Sequence, residues 1–180
     1  MQSGYGSFNI IVERIAALFP RKDRAAIKVL DVGAGTGLLG IALKEMGFER
    51  VDGSDGSPGM LEQAKMQDIY NKFYCELLTP DDTEKLGDKE TEYDLVVSAG
   101  SFLPLHIPGS ALPALLASVR ENGYLVMNGN PHNDMNEGVG TVIGQMKREN
   151  KVRIISSEYY PSSLSPASGL DGTVYVLQKL

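Results

Sequence analysis

The sequence predicts an α/β fold: a seven-stranded mixed sheet with helices on both faces and an antiparallel β-hairpin at its C-terminal edge. Three observations carry this. Short runs of branched apolar residues alternate with segments of helical period. A glycine-rich turn joins the first such run to the next helix. The last two strands follow one another with no helix between them. Strand–helix alternation implies a parallel sheet covered on both sides. Two consecutive strands pair antiparallel.

Each element has its own signal. Phe8, Ile11, Val12, Ile15 and Phe19 recur at helical spacing, and Pro20 ends that helix. Ile27 to Val32 reads as a buried strand. Leu38 to Met46 is a second helix, with Gly47 as a left-handed stop. Arg50 to Ser54 is a short strand. Ser57 and Pro58 suit the cap and first position of a helix to about Gln67. Lys72 to Leu77 is the third strand. The polar stretch from Thr79 to Glu92 reads as a solvated face holding at most a helical turn. Tyr93 to Ser98 is the fourth strand. Ser110 caps a helix to about Glu121, with Pro113 in its first turn. Asn122-Gly123 turns the chain into the fifth strand, Tyr124 to Asn128. Val139, Val142, Ile143 and Met146 mark a last helix. Val152 to Tyr159 and Thr173 to Gln178 form the hairpin, joined by a Ser-, Pro- and Gly-rich linker.

Composition bounds the function. A length of 180 residues suits one domain, which buries roughly 70% of its unfolded surface. An apolar share of 42% excludes a mainly disordered chain. The single cysteine, Cys75, excludes an intrachain disulfide framework and a cysteine-built metal site, and inside its strand it reads as a small buried hydrophobe. No apolar run approaches a membrane span, and Met1 to Tyr5 has no secretory pattern, so a cytoplasmic setting is expected. The net charge of -6 argues against nucleic acid as a partner.

The surplus of Gly, 20 residues where roughly 7% is usual, concentrates the argument on one segment. Val29-Leu30-Asp31-Val32-Gly33-Ala34-Gly35-Thr36-Gly37 is a strand, a tight turn and a helix start. Glycines let backbone lie against a ligand without Cβ interference. The free N–H groups of the helix start favour an anionic group. Gly35 to Gly40 also satisfies G-x-G-x-x-G, and Asp55 lies twenty residues after Gly35, where an acid would bind a ribose. A dinucleotide, another nucleoside ligand and a ligand-free turn all remain open on these residues alone.

The wider pattern narrows the choice. Asp31 sits inside the first strand, Asp55 ends the second, and Asp55-Gly56-Ser57-Pro58-Gly59-Met60-Leu61 opens the following helix. Tyr93-Asp94-Leu95-Val96-Val97 and Asn122-Gly123-Tyr124-Leu125-Val126-Met127 follow in order. Over about residues 25 to 180 the chain resembles the class I S-adenosylmethionine (SAM)-dependent methyltransferases, with their Rossmann-like sheet and terminal hairpin. Gly53 to Ala64, Ile69-Tyr70 through Cys75, and Ala111-Leu112-Pro113 look like the methyltransferase-like proteins of the Williams–Beuren syndrome chromosome region. Members of that group carry more chain before the first helix, so the resemblance implies a shortened N-terminal lid. It implies one methyltransferase domain over residues 1–180, with 1–24 as N-terminal helix and lid and 25–180 as SAM-binding core.

By that resemblance Gly33, Ala34, Gly35 and Gly37 meet the methionine part of SAM, and Asp31 orients the loop or reaches the amino group through water. Asp55 accepts hydrogen bonds from the ribose diol, which suits an acceptor-only carboxylate. Gly56 and Met60 border the adenine, although Met60 reads equally as a core residue. Glu76 faces the adenine amino group, with Leu77 over the ring, although an exposed acid fits Glu76 equally. Ser98 to Phe102 face cofactor and acceptor. His106 and His132 lie on loops at the carboxyl end of the sheet, where either serves as a general base or simply as a loop residue. Tyr5 closes over the cofactor. The expected acceptor is a small molecule or a protein group, with no metal. Asn130-Pro131 follows the fifth strand rather than the fourth, which disfavours DNA-amine and glutamine acceptors.

Two rivals stay in view. An NAD(P)-dependent oxidoreductase fits Gly35 to Gly40 and Asp55. Its Tyr-x-x-x-Lys pair occurs only as Tyr175 to Lys179, inside a strand where four residues span roughly 13 Å. A non-catalytic SAM-binding module is the other. A P-loop is excluded, since no Gly-Lys-Ser/Thr follows the glycines.

Overall fold

The computed structural model describes residues 6–80, 82–102, 106–129, 138–161, 163 and 171–180. Helix α1 (Gly6–Leu18) leads through a 3-10 turn at Arg21–Ala26 into β1 (Lys28–Val32), α2 (Leu38–Met46), β2 (Arg50–Asp55), α3 (Pro58–Lys65) and β3 (Phe73–Cys75). Then come β4 (Tyr93–Phe102), α4 (Leu112–Ser118), β5 (Val119–Gly129), α5 (Val139–Arg148), β6 (Val152–Tyr160) and β7 (Gly172–Lys179). The strands form one sheet in the order β3-β2-β1-β4-β5-β7-β6. The first five run parallel, and β7 is inserted antiparallel between β5 and β6. The expected mixed sheet with a hairpin edge is the observed one.

The central strands are buried on both faces, so their residues alternate between two cores. Leu30, Val96, Leu125 and Leu177 pack under α4 and α5, against Leu115, Ile143 and Met146. Val29, Leu95, Val97, Val126 and Val176 pack on the other face, against Ile11 and Ile15 of α1 and Leu39 and Leu43 of α2. Gly47 ends α2 in the left-handed region at φ 97°, its N–H on the Lys44 carbonyl and the Phe48 N–H on that of Leu43.

Several boundaries move. Helix α3 stops at Lys65, two residues before Gln67, and β3 keeps only three residues at the sheet edge. Cys75 is therefore exposed, not the buried hydrophobe expected, because it is the last residue of that short edge strand, beyond the packed Phe73 and Tyr74. Helix α4 ends at Ser118 rather than Glu121, because β5 begins at Val119 opposite Tyr93. The Asn122-Gly123 turn lies inside β5 as an irregularity, with Asn122 at φ 60°. No helix forms among the described residues of 79–92. That segment is anchored instead by Leu86, whose side chain is buried and whose N–H donates to Ser118 Oγ.

Arg24 has no signal in the sequence. It lies buried in the 3-10 turn and donates to the carbonyls of Phe19 (2.9 Å), Met46 (3.0 Å) and Ala16 (3.2 Å). These are free carbonyls at the C-terminal ends of α1 and α2, where partial negative charge favours a cation.

Candidate active-site cleft

The carboxyl ends of β1, β2 and β4 open into a cleft of about 510 Å³. An open α/β sheet offers a ligand this position, because the strand-to-helix loops there diverge to opposite faces. The floor is the turn after β1. Gly33, Gly35 and Gly37 lie at φ 73°, 55° and 94°, a region that excludes most side chains. The N–H groups of Gly33 and Ala34 both donate to the Ser54 carbonyl, at 2.8 and 3.0 Å, which ties the turn to β2.

The three glycines differ in purpose. A Cβ on Gly33 would lie 2.0 Å from Ser101 Oγ, so β4 packs directly on that backbone. A Cβ on Gly37 would strike Ile69 at 2.6 Å, which makes it a packing glycine. At Gly35 nothing stands within 4 Å of the missing Cβ. Only there does the turn present bare backbone to open space.

Asp55 ends β2 at the cleft wall. One carboxylate oxygen accepts the Gly35 N–H at 2.9 Å and the other the Ser57 N–H at 2.8 Å. These bonds fix the carboxylate between the turn and the start of α3. Each oxygen keeps a lone pair for a further donor. Ser57 also caps α3, accepting the Met60 N–H at 3.4 Å.

Glu76 lies across from Asp55. It accepts from Ser54 Oγ (3.0 Å) and the Gly87 N–H (2.9 Å), with Lys89 at 3.3 Å. Leu77 packs against Gly56, whose Cβ would come within 2.9 Å of it. Leu77 is 77% exposed and Met60 43%, so two large apolar side chains flank the polar pair at the mouth. The far wall is Ala99, Gly100, Ser101, His106 and Ile107. Gly100 lies at φ 73°, its N–H donating to Asn128 Oδ1 at 2.7 Å, and Asn128 donates in turn to Tyr160 Oη at 2.9 Å.

Of the residues singled out in the sequence, Gly33, Gly35, Asp55, Gly56, Met60, Glu76, Leu77, Ala99, Gly100, Ser101 and His106 line this cleft. Asp31, Ala34, Gly37 and Ser98 do not. Ala34 is buried, and Ser98 is spent on a 2.8 Å bond to the Val32 carbonyl. Asp31 is 1% exposed and faces inward, accepting from Tyr70 Oη at 2.7 Å. Burial pushes its carboxyl up to about 7, the Tyr70 bond opposes that rise, and the charge of Asp55 adds to it. His132, Tyr5 and Asn130-Pro131 lie outside the described residues. The described part of 1–24 adds nothing to the cleft, since α1 packs on the sheet through Ile11 and Ile15. Tyr175 and Lys179 sit in β7, and Lys179 Nζ donates to the Val119 carbonyl at 2.6 Å, away from the cleft. Ser57, Leu78 and Ile107 line the cleft without having been expected there. Ser57 gave a sign in its capping position, and the other two gave none.

A methyltransferase-domain family profile matches residues 29–123, from β1 to the turn before Tyr124. This chain belongs to that methyltransferase domain family. Human methyltransferase-like protein 27 is 34% identical over 112 residues, which cover 62% of this chain and 44% of that protein. Glycine/sarcosine N-methyltransferase of Parasynechococcus marenigrum is 34% identical over 131 residues, 70% of this chain and 45% of that protein. The chain thus spans less than half the length of these relatives. A crystal structure of magnesium protoporphyrin IX methyltransferase from Synechocystis PCC 6803 with bound SAM shares the fold at a TM-score of 0.69 and 18% identity, covering 97% of this chain and 80% of that one. The methyltransferase domain shows no helix among its described residues long and apolar enough to cross a membrane. Its described residues also hold no group of three or more His, Cys, Asp or Glu placed for a metal.

Proposed function

We propose that this chain is a methyltransferase that binds SAM in the cleft and passes its methyl group to a small-molecule or protein acceptor. The carrying observation is the pairing of Gly35 with Asp55. Bare backbone opens on empty space, beside a carboxylate held by two N–H donors with lone pairs to spare. A ribose diol fits that carboxylate, and Met60 and Leu77 offer apolar surface for a flat base next to Glu76. The residues present therefore fit the group. Gly33, Gly35, Asp55, Gly56, Met60, Glu76 and Leu77 would hold it.

SAM supplies an activated methyl carbon: the acceptor's lone pair forms the new bond, and the carbon–sulfur electron pair stays on sulfur. The protein's part is then to orient and to exclude water. Proximity and orientation supply roughly 7–11 kcal/mol in favourable cases. On the far wall His106 is placed to take a proton from an acceptor that must lose one. A cytoplasmic setting belongs to the same reading.

The sheet order disfavours the dinucleotide rival, because β7 enters antiparallel where the dinucleotide fold continues with a parallel strand. Calorimetry with SAM and with S-adenosylhomocysteine tests the proposal. Binding of both is expected. Failure of both at generous excess overturns it, and binding without turnover on any acceptor pool leaves a binding module instead.

A further inference from the structure

Asp31 is the buried charge that the proposed chemistry leaves unused, and its partner Tyr70 is the most built-in side chain near the cleft. The Tyr70 ring occupies space that three glycines vacate. A Cβ on Gly40 of α2 would lie 2.6 Å from it, one on Gly53 of β2 3.1 Å, and one on Gly37 3.6 Å. Gly40 is in mid-helix and Gly53 in mid-strand, and neither has a positive φ. Their glycines answer to this ring and not to the backbone. Phe73 closes the pocket edge-on at a centroid distance of 5.4 Å. So packed, the hydroxyl meets Asp31 directly beneath the turn that begins at Gly33.

We propose that Tyr70 is a specificity-determining residue of the cleft: it holds Asp31 as a buried carboxylate under the glycine turn, and the charge on this pair makes the site favour a cationic sulfonium over a neutral thioether. The inference rests on the SAM reading of the cleft. Its physical basis is the environment of Asp31. Asp55 is the other ionisable group acting on it. Glu13 of α1, Lys44 and Glu45 of α2, and Glu62 and Lys65 of α3 are exposed. Arg14 of α1 pairs with Glu158. Asp52 of β2 accepts from Tyr93, and Asp94 of β4 pairs with Arg120. No cation neutralises Asp31 among these described groups. Burial raises its carboxyl to about neutrality, so its charge changes in the range where the site would work. The Tyr70 hydroxyl donates to the ionised form and so sustains the charge.

The test compares SAM, a sulfonium, with S-adenosylhomocysteine, the thioether, by calorimetry between about pH 5.5 and 8. The native chain, Asp31→Asn and Tyr70→Phe are measured, each checked for native circular dichroism. Asp31→Asn carries whatever pH dependence belongs to the ligands. Relative to it, the native SAM preference is expected to rise roughly fivefold with pH, the scale of one partly screened interaction between two unit charges. Tyr70→Phe should move that rise to higher pH, which a merely structural role would not do. Should Asp31→Asn fail to fold, the displacement in Tyr70→Phe decides. Binding of both ligands with no such difference overturns this inference and leaves the SAM reading standing. Binding of neither ligand to the native chain overturns the SAM reading itself.

Discussion

Replacing Asp55 with Ala tests the proposed ligand site at its most constrained point. The native carboxylate accepts N–H bonds from Gly35 at 2.9 Å and Ser57 at 2.8 Å, and retains two acceptor positions for a ligand diol. Hydrogen bonds to a charged group contribute about 1.5–3 kcal/mol each. Losing two from the bound ligand costs about 3 kcal/mol or more, which is about a hundredfold in affinity at 1.4 kcal/mol per decade. The free protein suffers less. The carboxylate is only half-buried, so water replaces it on the two N–H groups, and about 1–2 kcal/mol of stability is lost. Calorimetry with SAM and S-adenosylhomocysteine, beside a thermal melt, separates the two effects. Both ligands should weaken equally, since ribose is common to them. A folded Asp55→Ala protein that binds SAM within about twofold of native, a difference near 0.4 kcal/mol, refutes the assignment of Asp55 to the ligand.

Arg24→Ala strips one buried and two part-buried carbonyls of their donor. About 3 kcal/mol of stability should go, lowering Tm by roughly 6–12 °C, and a shift below about 2 °C in a melt would remove Arg24 from the account. Gly33→Ala should destabilise by about 2–4 kcal/mol, from the left-handed φ and the overlap with Ser101, and Ser101→Gly should recover only the overlap. A double-mutant cycle showing no coupling between these positions contradicts the packing described. Asp31 holds its proton more tightly folded (about 7) than its ordinary value of 3.8, so the folded state loses relative stability as pH rises from about 4 to 7. The advantage of Asp31→Asn in urea melts should grow across that window, by at most roughly 4 kcal/mol, and then level off. A constant difference means that Asp31 does not titrate there.

What the sequence disclosed follows from what each residue answers to. The strands of β1 and β4 are buried on both faces, so their apolar runs announce them. Gly35 and Asp55 are fixed by backbone geometry within a local segment, and their spacing carries the signal. Arg24 and Tyr70 act over distance: one closes two helix ends, and the other fills gaps left by glycines on separate elements. No local pattern marks either, though Gly40 and Gly53, glycines with no turn to make, were the trace Tyr70 left. Asp31 was legible only in part. Its place before the turn suggests a residue that orients the loop or reaches a ligand through water, and strand alternation directs it into the core beside Val29.

The cleft has two halves built by different means. The Gly35–Asp55 half is backbone and carboxylate, locked by bonds that cross β1, β2 and α3, so a change there disturbs the packed core as well as the ligand. The half formed by Gly100, Ser101, His106 and Ile107 is tied down through Gly100, Asn128 and Tyr160 to the hairpin edge. Ser101 packs there on Gly33 and Ile107 against the buried core, whereas the exposed His106 faces the cleft without holding the sheet together. A core of this kind can alter its acceptor through His106 without endangering the first half. Substitutions at His106 should therefore redistribute activity among acceptors while leaving SAM affinity and melting temperature near native, the reverse of the pattern expected at Asp55. Screening such variants against an acceptor pool, with SAM titrations alongside, checks this. A loss of SAM affinity at His106 comparable to that at Asp55 would mean the two halves are one.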